Sequence, residues 1–387
     1  MAEAYLRIET DAALESLCRP LRTAEWLALD TEFIRERTYY PQLCLVQVAT
    51  PDIVACVDVL AIKVLDPLFA VLYDPAILKV LHSARQDLEL FFHLTGRVPT
   101  PVFDTQLAAS FAGFPDQAGY ATVVQALLGI ALDKSHTRTD WSQRPLPAAA
   151  LDYAADDVRY LREIYLHLRG ELQTRARLTW LDKDSSLLTD PATYRPDPET
   201  AWRRLRGLQR LRPRQLAAGK ALAAWRERMA MQNNLPRQWV LKDEVLTDLA
   251  RQLPATPAAL LSVRGLNEAL VRKYGEALLG ILATAPAQST VTAVAPTEAR
   301  LSAQEEALVD ALMALVRFRG AEAGVSPAQL ATRSELQRLA RGKRDVPVLQ
   351  GWRLETAGRE LLRLLDGEIT LAVSDGVLTP VTVDKKG

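Results

Sequence analysis

The sequence predicts an α/β domain with a mixed sheet over residues 1–175, followed by two all-α helical domains at 201–287 and 300–372. Three observations lead there. Short apolar runs alternate with helix-period segments through the first 170 residues. Strand signals fade beyond about residue 180. Two stretches rich in Pro, Asp, Thr or small residues, 176–200 and 288–299, have the composition of linkers. A length of 387 residues suits two or three domains of ordinary size.

Taken in order, "YLRI" is a short strand, and "TDAALESLCRPL" is a helix with a Thr or Asp cap. "WLALDTEF", "CLVQVAT" and "IVACVDV" are apolar runs bounded by polar or Pro-containing turns, which predicts consecutive strands. "LDPLFAVLY" is a helix with Pro in its first turn. A fourth strand, "ILKVLHSA", precedes the helix "RQDLELFFHLTG", which Gly96 stops. Helices follow at "FDTQLAASFAG", "YATVVQALLGI" and "PAAALDYAADDVRYLREIYLHLRGEL". Adjacent strands followed by alternating units indicate a mixed sheet. The helical sets at 201–287 and 300–372 have similar length and build without a residue-by-residue repeat; beyond them lies the tail 373–387, and the stretch "ITLAVSDGVLTPVTVDKKG" could form a small strand pair.

About half the residues are apolar, and no stretch reaches the roughly 18–20 apolar residues a membrane helix needs. The start "MAEAYLRIET" lacks a basic region followed by an apolar core, so no secretory signal is expected. Cys18, Cys44 and Cys56 are odd in number and lack CxxC spacing, and Cys44 and Cys56, in apolar surroundings, read as small core residues in a reducing compartment, the cytoplasm. The zero net charge conceals an asymmetry. Residues 1–170 hold 15 Lys and Arg against 22 Asp and Glu, whereas residues 201–275 hold 15 against 5. The basic middle is a candidate for phosphate contact, and a charged helical surface without a ligand reads equally well. The low Gly content and the lack of GxxxxGK[ST], GxGxxG and GxSxG argue against nucleotide-hydrolysing, dinucleotide-binding and acyl-transfer domains.

The chemistry concentrates in acids. Asp30 and Glu32 are two apart near the end of an apolar strand, so both point to one face. Two like charges there are costly unless something positive lies between them. Asp87 falls early in a helix that follows a buried strand, and Tyr153 and Asp157 are four apart on one helix face. Strand acids joined by two helix acids make the ligand set of a two-metal phosphoryl-transfer site. Mg²⁺ or Mn²⁺ takes oxygen ligands, activates water and stabilises the leaving oxygen.

The segments "LDTEF", "SARQDLELF" and "YAADDVRYL" resemble the three motifs of DEDD-type 3′→5′ exonucleases on a ribonuclease H-like fold. The pattern Tyr153-x-x-x-Asp157 marks the tyrosine subclass. "FDTQLAASF", "RTDWSQRPL" and "LAAWRERMAMQNNLPRQWVLKDEVLTDLA" resemble ribonuclease D, the last within its HRDC helical module. The resemblance covers residues 5–285 well and continues less specifically to about 370, where this family often carries a second HRDC-like domain. It implies that Asp30, Glu32, Asp87 and Asp157 hold two divalent ions and that Tyr153 orients the attacking water. It also implies trimming of tRNA precursors and other small structured RNAs, with the helical domains helping to hold the RNA body. A monomer without a membrane partner is expected. Asp156 has no place in the pattern and reads as a solvated acid. His82, Trp141 and Arg144 are candidates for substrate contact, two of them with a structural alternative: a polar strand end for His82 and a loop anchor for Trp141. Tyr39 and Tyr40, after the first acids, read as hydrophobic support, with lining of the site's entry as the alternative. Arg203, Arg204, Arg206, Arg210, Arg212 and Arg214 form the densest basic run, with Pro213 interrupting it. The acids alone leave a DNA exonuclease open, and a binding scaffold is disfavoured because all five residues are present.

Overall fold

The computed structural model describes residues 4–132, 139–285 and 301–383. The expected linker 288–299 and the end of the tail lie outside them. The chain divides into two compact units: residues 1–32, 43–193 and 300–387 form one, and residues 33–42 and 194–299 form the other.

The first unit is built on a six-stranded sheet in the order β1-β4-β3-β2-β5-β6. Its strands are β1 (Leu6–Ile8), β2 (Trp26–Ile34), β3 (Gln42–Ala49), β4 (Val54–Val57), β5 (Leu78–Leu81) and β6 (Val102–Asp104). β1 runs parallel to β4, and β3 antiparallel to β4. β2, β5 and β6 run parallel, in registers that place Ala28 beside Val80 and Leu81 beside Asp104. The sheet is therefore mixed, as the run of adjacent strands predicts. Trp26, Leu27, Ala28 and Leu29 are buried, and burial slackens toward the end of β2, where the acids lie. Cys18, Cys44 and Cys56 are free and buried, which fits core residues.

Helices α1 (Asp11–Leu21), α2 (Asp66–Leu72), α3 (Arg85–Thr95), α4 (Thr105–Phe111), α5 (Tyr120–Leu128) and α6 (Ala148–Thr174) surround the sheet. Gly96 ends α3 at φ 72°, and its N–H donates to the Phe92 carbonyl. Here the left-handed backbone favours Gly. Two expectations need correction. Phe103 and Asp104, read as the start of a helix, belong to β6, and Asp104 caps α4. Much of the expected linker 176–200 is the helix α7 (Leu178–Thr189).

The reason for α7 lies far along the chain. Trp180 stacks on Trp352 with ring centroids 4.4 Å apart and planes 7° from parallel. Asp184 takes a paired bond from the Arg353 guanidinium, and Arg177 donates to the carbonyls of Phe111, Ala323 and Gly324. The C-terminal helices α13 (Ala303–Ala323), α14 (Pro327–Leu330), α15 (Arg333–Ala340), α16 (Gly351–Arg353) and α17 (Arg359–Leu365) thus belong to the same unit as the sheet, together with the hairpin β7 (Ile369–Ser374) and β8 (Val377–Thr382). The hairpin is the small strand pair expected of the tail.

The second unit contains α8 (Pro213–Gln232), α9 (Arg237–Val240), α10 (Asp243–Gln252), α11 (Pro257–Leu261) and α12 (Glu268–Thr284). Its core includes Trp202, Leu222, Leu246, Leu260 and Leu278, together with Tyr39 from the segment 33–42. Tyr39 is 4% exposed, which fits the support role read for it. The Tyr39 hydroxyl donates to Glu227 Oε1 (2.5 Å), and Arg237 spans both Glu227 oxygens (2.6 and 2.7 Å) while lying over the Tyr39 ring. Asn234 Oδ1 accepts from the backbone N–H groups of Tyr39 and Tyr40, 3.1 Å each. The basic run is spread over two 3₁₀ turns and the start of α8, so it does not form one helix face.

Candidate active site

β2 delivers Asp30 and Glu32, and α6 delivers Asp157. A carboxylate oxygen from each lies within 4.8 Å of the other two. Burial comes first in holding the Asp30 carboxyl well above the usual range, followed by the charges of Asp157, Asp87 and Glu32. Glu32 is pushed up to about 9 by burial and then by Asp157 and Asp87. Burial raises Asp157 to about 7. None of the three makes an ion pair with Lys or Arg among the described residues. Buried acids this close must share protons or a cation.

Asp87 sits beside this trio rather than in it. Burial raises it to about 7, the Thr31 hydroxyl lowers it by donating to Oδ1, and Asp104 raises it. Its helix starts without a side-chain cap of its own. Instead Asp104 accepts from the N–H groups of Ser83 (3.1 Å) and Ala84 (2.9 Å) and caps α4 through Gln106 (2.8 Å) and Leu107 (3.3 Å). One buried carboxylate so fixes two helix starts, including the turn that carries Asp87. Asp104 and Thr31 escaped sequence reading. The Asp-Thr-Gln of a helix N-cap was the available signal for Asp104.

Tyr153, one turn before Asp157, has its phenol pushed far up by burial and by Asp157, Glu32 and Asp30. It stays protonated, so it can donate a hydrogen bond to water but is a poor base. Its ring lies 6.4 Å from that of Trp141. Asp156 pairs with Arg159, one turn along α6, so it is not the simply solvated acid expected.

The three substrate-contact candidates are occupied within the protein. Trp141 is 4% exposed, which leaves no face for a base. Arg144 grips Asp58 through two bonds (2.5 and 2.7 Å) and donates to the carbonyls of Cys44, Trp141 and Gln143. His82 donates from Nε2 to the Ala118 carbonyl (3.1 Å), and its Nδ1 lies 3.0 Å from Thr105 Oγ1. Each thus has partners inside the protein. Polar residue types in a loop or at a strand end do not distinguish a ligand contact from an internal one.

Asp30, Glu32 and Asp157 close together, with Asp87 beside them, have raised proton affinity and no cationic partner among the described residues, a hard-oxygen donor set that fits a divalent cation. Residues 5–173 match the model of the 3′-5′ exonuclease family, and residues 215–282 match that of the HRDC domain. A ribonuclease D of Acidiphilium cryptum is 44% identical over 369 residues, 94% of each chain. One from Granulibacter bethesdensis is 42% identical over 374 residues, 95% of this chain and 94% of that one. The chain belongs to the ribonuclease D family. The crystal structure of Escherichia coli RNase D, an exoribonuclease involved in structured RNA processing, superposes with a TM-score of 0.78 at 35% identity, covering 94% of this chain and 99% of that one. The chain is thus a 3′→5′ exoribonuclease with an α/β exonuclease domain followed by an HRDC domain.

Proposed function

We propose that Asp30, Glu32, Asp87 and Asp157 hold two divalent ions, Mg²⁺ or Mn²⁺, and that this site releases 5′-mononucleotides from RNA 3′ ends. The observation that carries the reading is the gathering of Asp30, Glu32 and Asp157 near the end of β2, with Asp87 beside them and no Lys or Arg among the described residues to balance them. Bound there, the ions supply Lewis-acid chemistry, activating the attacking water and stabilising charge on the leaving 3′ oxygen. The residues do the rest. Asp104 and Thr31 hold Asp87 in place, and protonated Tyr153 orients the water by donating to it, because its phenol is too weak an acid to lose its proton near neutral pH.

The substrates are tRNA precursors and other small structured RNAs, the role the family is known for. A groove of about 880 Å³ in the second unit suits the phosphates of such a body. It is lined by Arg204, Arg206, Lys242, Arg251 and Arg264, against Asp243, Glu244 and Asp248. The protein acts as a cytoplasmic monomer. Its buried free thiols suit a reducing compartment, and no described helix is long and apolar enough to cross a membrane.

The test uses 5′-labelled single-stranded RNA and DNA with Mg²⁺, with Mn²⁺ and with EDTA, alongside Asp30→Ala. The proposal predicts a single-nucleotide ladder on RNA that EDTA and Asp30→Ala abolish. An equal ladder on DNA would reassign the substrate, and binding without cleavage would leave a scaffold.

A further inference from the structure

One contact to the carboxylate helix comes from outside the motifs. Tyr120, at the start of α5, directs its hydroxyl to α6 and donates to the main-chain carbonyl of Asp157 (2.6 Å), with the Asp156 carbonyl at 3.0 Å. Helical spacing pairs the Asp157 carbonyl with the Leu161 N–H, and the Leu161 backbone eases the Tyr120 phenol back down against the burial that raises it. The phenol oxygen thus stands at the 157–161 rung of the helix ladder. A side chain inserted there alters the local geometry of the helix. The rung is the one from which the Asp157 carboxylate projects.

Tyr120 is itself held. The His82 ring meets it edge-on at 5.4 Å and 63°, and both His82 nitrogens have partners, Thr105 Oγ1 and the Ala118 carbonyl. Ala118 lies two residues before Tyr120, so one imidazole braces both the chain entering α5 and the aromatic ring. Polar atoms this well satisfied are costly to displace.

We propose that Tyr120 is a positioning residue for Asp157, setting the α6 rung that aims this carboxylate at a divalent cation, with His82 as its brace. The proposal rests on the assignment of Asp157 as a metal ligand. A core tyrosine that merely satisfies its hydroxyl would affect folding alone. A positioning residue changes metal affinity, and it does so only while the Asp157 carboxylate is present.

The experiment is a Mn²⁺ titration of metal-free protein, with free Mn²⁺ read by electron paramagnetic resonance and melting followed in EDTA. Four proteins are compared: wild type, Tyr120→Phe, Asp157→Ala and the double variant. Phenylalanine keeps the ring, and without the hydroxyl the Asp157 carbonyl and Leu161 N–H are spaced to bond each other, so α6 stays closed. Tyr120→Phe should raise the Mn²⁺ dissociation constant roughly tenfold, as removal of a residue that orients a metal ligand does. In the Asp157→Ala background it should have no further effect. An unchanged dissociation constant in Tyr120→Phe, or the same rise with Asp157 absent, would overturn the proposal. If wild type binds Mn²⁺ no better than Asp157→Ala, the metal-site assignment itself fails and the positioning role falls with it.

Discussion

Two buried acidic centres, one in each unit, solve the problem of a desolvated carboxylate in opposite ways. Glu227, 3% exposed, is raised by burial but brought below the usual range by bonds from Arg237 and Tyr39 and by the charges of Arg237 and Arg204. Asp30, Glu32, Asp87 and Asp157 have one another, a hydroxyl from Thr31 and no arginine or lysine among the described residues, and all are raised. A carboxylate kept for structure comes with its counter-charge built in. A carboxylate kept for a cation from solution is left without one, and the apo fold bears the repulsion. The acids therefore differ in what each unit does with them, and several measurements can separate the two cases.

The largest expected difference is in turnover. Asp30→Ala should lower the RNA hydrolysis rate by about 10³-fold or more, since metal-supplied stabilisation is several kcal/mol and each factor of ten is about 1.4. Glu227→Gln should leave the rate of single-nucleotide release on a short single strand unchanged. Rates on labelled RNA check both.

The second difference is the sign of the pH dependence. Asp87 and Asp157 titrate at about 7 and Glu32 at about 9 when folded, against about 4 when unfolded. Between these values the native state holds protons that the unfolded chain has lost, so the stability of metal-free protein falls as pH rises from about 4 to 9. Glu227 acts in reverse. Its folded value is depressed, so its contribution is present above the unfolded value of about 4.5 and is lost as pH falls through the folded value. Melting in EDTA across this range should show the decline in wild type. The decline should flatten with saturating Mg²⁺.

The third concerns stability alone. Glu227→Gln leaves Arg237 without its acid and should cost about 3 kcal/mol by urea unfolding, near the lower end for breaking a buried pair because Arg237 is 30% exposed. Smaller still, Arg144→Ala should cost about 2 kcal/mol, since Asp58 keeps the N–H groups of Leu60 and Ala61. The Michaelis constant for RNA should not move, whereas a direct RNA contact would raise it.

The comparison also explains what the sequence could disclose. Asp30 and Glu32 were legible because strand alternation puts them on one face, and Gly96 because a left-handed stop follows a helical pattern. Asp157 was separable from Asp156 only through the Tyr153 spacing. Local rules reached no further. α7 stands where composition reads as linker because Trp180 finds Trp352 some 170 residues away, and propensity has no view of that. β6 is three residues long and ends in the residue that caps the next helix, so its strand character is hidden by the cap. His82, Trp141 and Arg144 carry types that suit RNA contact equally well as internal bonding, and only their partners decide. Segment 33–42 follows the β2 acids in sequence, yet it contributes Tyr39 to the core of the other unit, a grouping set by long-range burial.

The central claim is that the acids at the end of β2 are a cation site and that their mutual repulsion burdens the empty fold. It is tested most directly by melting wild type and Asp30→Asn at pH 8, in EDTA and in Mg²⁺. The account predicts that Asp30→Asn melts higher than wild type in EDTA, that Mg²⁺ raises the wild-type transition, and that the variant loses most of that rise. A variant that melts lower in EDTA while gaining as much from Mg²⁺ as wild type would contradict it.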